Sequence, residues 1–82
     1  MIEEIVVDTR LLEAPEPIMK VLELLPKLNK NTYIKMIHRL EPKILFTQLL
    51  QKDLNYKIIH ENEDFNIYIW TKDLNEKDIK GL

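Results

Sequence analysis

The chain has 82 residues, 45% hydrophobic and 32% charged, with a net charge of -2, one glycine and no cysteine. That length makes one small domain with a single core. Interspersed lysines and acids leave no basic stripe to follow a phosphate backbone, which argues against nucleic acid, and the missing cysteine excludes disulfides, thiolate nucleophiles and thiolate metal sites.

No apolar run approaches the ~20 residues of a membrane span. The acidic start Met1-Ile2-Glu3-Glu4 lacks a signal peptide's basic opening. The expectation is a cytoplasmic protein with no membrane contact.

The β-branched run Ile5-Val6-Val7, ending at Asp8, reads as a first strand. A loop follows over residues 9–14. From residue 15 to 28, Ile18, Val21, Leu22, Leu25 and Leu28 recur at helical spacing along one stripe. Pro15 and Pro17 sit where the first turn needs no N–H, and Pro26 ends the regular helix. Asn29-Lys30-Asn31 is a turn in which asparagine suits the left-handed conformation.

Residues 32–38 alternate, with Ile34, Met36 and His38 on one side and Tyr33, Lys35 and Ile37 on the other. This second strand completes a βαβ unit with parallel strands. A second helix over residues 42–52 buries Leu45, Phe46, Leu49 and Leu50, and Asn55 is the expected left-handed cap. Strands over residues 56–61 and 65–71 form a hairpin around Asn62-Glu63-Asp64. The order is β-α-β-α-β-β. The fold class is α+β: a two-layer sandwich of a four-stranded mixed sheet with both helices on one face. Residues 1–72 form the domain; residues 73–82 are expected to be a frayed helix or flexible tail.

Two loops carry a recognisable pattern. Asp8-x-Arg10-x-Leu12-x-x-Pro15-Glu16-Pro17 is followed by His38-x-x-Glu41-Pro42. Together they resemble a family of small bacterial domains of unknown function, itself similar to the TusA/SirA sulfur carriers, over roughly residues 4–71. The resemblance implies the same β-α-β-α-β-β fold. The carriers hold a persulfide on a cysteine at the start of the first helix, favoured there by the positive helix end. Here the matching residue is Ala14, whose methyl group cannot hold sulfur. A second departure is Leu11, where relatives commonly have glycine.

Parallel first and second strands end at one sheet edge, so both helices begin there, where ligands of open α/β sheets tend to sit. The candidate ligand-binding residues are Arg10, Glu13, Glu16, His38, Arg39 and Glu41, with a small anion or a partner's acidic group as the ligand class. The alternative is a self-neutralised rim, in which the glutamates satisfy the helix ends and pair with the arginines. A small enzyme or accessory subunit using His38 with a nearby glutamate is the second functional reading. With no serine, cysteine or glycine-rich loop in the chain, most hydrolase and nucleotide-binding templates drop out. No catalytic residue, cofactor or metal site is assigned: His38 and His60 sit on different strands without ligand spacing, and Met19 and Met36 fit core positions. The open sheet face, with Tyr33, Ile37, Tyr68 and Trp70, is the candidate surface for a protein partner or homodimer.

Overall fold

The computed structural model describes residues 1–82. The elements are β1 (Glu3–Asp8), α1 (Glu16–Leu24), β2 (Thr32–His38), α2 (Lys43–Gln51), β3 (Asn55–Glu61) and β4 (Asp64–Trp70), with short 3-10 turns at Leu25–Lys27 and Glu76–Asp78. The sheet order is β1-β2-β4-β3. β1 lies parallel to β2, with Asp8 opposite Ile37, while β4 runs antiparallel to both β2 and β3. The fold is therefore α+β around a four-stranded mixed sheet.

Side-chain alternation sets the two faces. Ile34 and Met36 of β2 and Ile67 and Ile69 of β4 pack with Val21 of α1 and Leu45, Phe46 and Leu49 of α2. Neither helix contributes to the buried cluster on the opposite face, so both helices cover one side of the sheet. The apolar stripe of α2 is narrower than its spacing suggests. Leu45, Phe46 and Leu49 are buried, but Leu50 is 65% exposed, because it follows Leu49 around to the solvent side. Met36 is a core residue, whereas Met19 lies exposed on α1.

Proline and local capping decide where the helices stop. The α-helix of α1 ends at Leu24, and Pro26 sits in the 3-10 turn that follows. The turn at Asn29 needs no left-handed residue: its side-chain oxygen accepts from the Asn31 amide at 2.8 Å. After α2 the left-handed residue is Asp53 (φ 62), not Asn55, which already belongs to β3. The Leu54 amide donates to the Leu49 carbonyl and the Asp53 amide to that of Leu50, a Schellman closure that requires its left-handed residue at position 53. Leu54 then folds back onto the core. The hairpin closes through Asn62 (φ 59).

Residues 73–82 are not a free tail. They cross the face opposite the helices, where Leu74 and Ile79 are buried against Tyr33, Tyr68 and Trp70. The Lys80 amide donates to Tyr33 Oη at 3.3 Å, and Tyr33 Oη donates to Glu4 at 2.6 Å. Gly81 (φ 95) lies so close to Tyr68 that a Cβ there would overlap the phenol oxygen. The single glycine of the chain thus meets two demands at once, left-handed backbone and close approach. The aromatic face expected to be open is closed by the chain's own C-terminal strap. Tyr33, Tyr68 and Trp70 are buried, and Ile37 is half-buried, so these residues are core rather than a free partner surface.

Candidate functional site

Because β1 and β2 are parallel, the loops leaving them meet at one edge. Between them lies a groove of about 420 Å³. Leu12, Glu13, Ala14, Pro17 and Ile18 form one wall; His38 to Ile44 form the other. Of the six candidate residues, Glu13, His38, Arg39 and Glu41 line this groove. Arg10 and Glu16 do not.

His38 continues the inward register of Ile34 and Met36 and is 8% exposed. Its partner is Thr9, a residue that loop position and composition did not single out. Thr9 is fully buried. Its amide and its hydroxyl both donate to the Ile37 carbonyl, each at 2.9 Å. With that proton committed, Thr9 Oγ1 can only accept from His38 Nδ1 at 3.0 Å, and the Thr9 carbonyl accepts from the same nitrogen at 3.1 Å. Two acceptors facing Nδ1 place a proton there, so in the neutral ring the lone pair is on Nε2. Nε2 has no partner in the protein, yet it is not sealed off: Thr71 Oγ1 is the one fully enclosed side-chain polar atom without a partner. The groove is the opening that His38 lines.

Neither helix start is capped by a side chain. In α1 the Glu16 and Met19 amides bond back to Glu13 and Pro15, and Pro17 has no N–H, which leaves the Ile18 amide. In α2 the Lys43 and Leu45 amides bond back to Glu41 and Pro42, which leaves the Ile44 amide. Both remaining amides belong to groove residues. The alternative of a self-neutralised rim, with the glutamates capping the helix ends and pairing with the arginines, does not form. Glu13, Glu16 and Glu41 make no ion pair, and neither do Arg39 and Lys43. No glutamate hydrogen-bonds His38 either; Thr9 orients its ring.

Arg10 is spent elsewhere. It grips Asp8 through two nitrogens at 2.9 and 2.6 Å and reaches Asp64 at 3.1 Å, tying the end of β1 to the start of β4. The Arg10 guanidinium, through its hydrogen bonds, holds the Asp8 carboxyl down at about 2, well below the usual carboxylate range. Its own pKa moves further up for the same reason. Arg10 is therefore a clasp rather than a donor to the groove. Glu16 faces the outer side of α1 with Met19, Lys20 and Glu23.

No protein-family model, curated protein or solved structure matches the chain. What the groove can do follows from its own geometry. Leu11 needs no left-handed backbone; its side chain is 97% exposed at the outer rim, so the loop closes there without a glycine. Ala14 is exposed in the groove wall at the mouth of α1. His38 and His60 both stand opposite Phe65, one on either side of β4. Phe65 stands on the strand between them. His60 stacks on Phe65 with ring centroids 4.4 Å apart. No group of three or more histidines and acids is placed to hold a metal. No helix is long and apolar enough to cross a membrane.

Proposed function

We propose that the protein is a non-catalytic binding module of TusA-like architecture, in which Ala14 occupies the place of the carrier cysteine and the groove behind it is the working site. One observation carries this reading: His38 is buried at the groove, held by Thr9, with Nε2 unpartnered and reachable. An unpartnered ring nitrogen open to the groove, on a ring that Thr9 already holds in place, is available to hydrogen-bond a ligand without first breaking a bond within the protein. The chain has no serine or cysteine, and the nearest hydroxyl, that of Thr9, is already donating to Ile37. The groove thus offers recognition without a free hydroxyl or thiol nucleophile.

Amide NMR of the isolated chain tests this. Titration with a panel of small anions and small apolar fragments is expected to give saturable shifts confined to residues 12–18 and 38–44. A folded spectrum that stays silent to the whole panel, or responds only elsewhere, would overturn it.

A further inference from the structure

Resting on that binding role, we propose the class of ligand: a monocarboxylic acid carried on an apolar body of a few to about ten carbons. The groove's volume of about 420 Å³ lies in the range of small-molecule sites, and its surfaces divide the task. Leu12, Ile18, Leu40 and Ile44 supply apolar contact, and Leu40 and Ile44 are 67% and 69% exposed without a ligand. Covering such side chains removes apolar surface from water, which a bare inorganic anion cannot do.

The polar groups select the head. The uncapped Ile18 and Ile44 amides are donors at two helix starts, where partial positive charge favours an anion. His38 Nε2 is a lone-pair acceptor. A carboxylate brings two oxygens to accept from such amides, and a proton taken up from water on binding bridges it to Nε2. In the bound state that proton lies between the acid oxygen and the imidazole, on either partner, with Nδ1–H still donating to Thr9. An amine has no acceptor for the amides. An alcohol lacks the second oxygen and the charge.

The rim sets the valence. Glu13 and Glu41 oppose Arg39 and Lys43 around the groove, none of them paired within the protein. The two signs balance, so the rim does not attract a doubly charged anion such as sulfate or phosphate, and a single carboxylate is the charge the helix starts can hold.

The experiment is a calorimetric and amide-NMR titration with octanoate, octanamide, octylamine and acetate. Octanoate is expected to bind saturably at residues 12–18 and 38–44, roughly tenfold or more tighter than octanamide, as the loss of a charge-assisted hydrogen bond implies. Acetate should bind far more weakly than octanoate for want of an apolar body. His38→Leu should weaken octanoate to the level of octanamide. If that variant fails to fold, the exposed Ile44→Glu, which places a negative charge in the groove, should abolish octanoate binding with the fold intact. Equal or tighter binding of octanamide or octylamine at the same residues overturns the acid class while leaving the binding module standing. Silence toward all four overturns the acid class, and silence extending to the wider fragment panel overturns the module as well.

Discussion

The two faces of the sheet are closed by different means. On one face, α1 and α2 lay regular apolar stripes over Ile34, Met36, Ile67 and Ile69, and the central side chains are fully buried. On the other, an irregular strap covers three aromatic rings with two side chains, Leu74 and Ile79, and one backbone hydrogen bond from Lys80 to Tyr33. The helical layer shares the cooperative core. The strap is held by few contacts, which makes it a candidate for local opening below the global unfolding free energy. The groove belongs to the first layer: it lies where two helices begin without side-chain caps, on the helix side of the sheet.

The sharpest break in this comparison comes from cavities on either face. Leu49→Ala, at the centre of the helical layer, is expected to cost about 2–5 kcal/mol in urea or thermal unfolding. Leu74→Ala should cost less, about 1–3 kcal/mol, because the strap relaxes around the loss more readily than two packed helices do. A saturation test separates the faces further. Combining Leu74→Ala with Ile79→Ala should destabilise no more than removing residues 73–82, since the strap's contribution cannot exceed its own opening free energy. Strictly additive, unlimited loss would show the strap to be part of one cooperative unit.

Gly81→Ala comes next, at about 1–2 kcal/mol for the left-handed backbone alone, with added loss from overlap with Tyr68. Faster amide exchange limited to residues 73–82 is the expected signature. The smallest effect is a titration. Burial, followed by the hydrogen bond to Glu4, pushes the Tyr33 phenol up to about 12. A raised folded-state value means that stability is fully present below the ordinary pKa of about 10 and is lost as pH rises toward 12. One tyrosine should therefore ionise late in an ultraviolet titration, together with release of the strap. Ionisation of all three tyrosines together near pH 10 would mean that Tyr33 is not covered.

Much of the fold was legible because its signals are periodic. The alternation in β2 and β4, the stripe in α1, and the prolines at both helix starts give the element order and the side on which each residue lies. Single-residue chemistry was harder. Asp53 and Asn55 both tolerate left-handed backbone, and only the Schellman closure chooses between them. The strap hid because Leu74 and Ile79 are five residues apart in a charged segment, a spacing with no helical or strand period. Its one available signal was the aromatic face itself, which needed cover, together with the only glycine nearby.

At the site, the meeting of two proline loops and the inward register of His38 followed from strand order and parity. The role of Thr9 did not, since one threonine in a loop has no pattern to read. Arg10 serves as a clasp for a related reason: residues 8 and 64 are far apart in sequence, and only the sheet order brings Asp64 to the same edge as the end of β1, across β2.

The central claim is that Thr9 fixes the His38 ring and leaves Nε2 open to the groove. Two-bond proton–nitrogen NMR of the imidazole side chains reads this directly, with a His60→Gln variant assigning the signals. The His38 ring is expected to carry its proton on Nδ1, with an Nε2 resonance that moves when octanoate is added. A ring protonated at Nε2, or an Nε2 resonance indifferent to every ligand that shifts the groove amides, would contradict it.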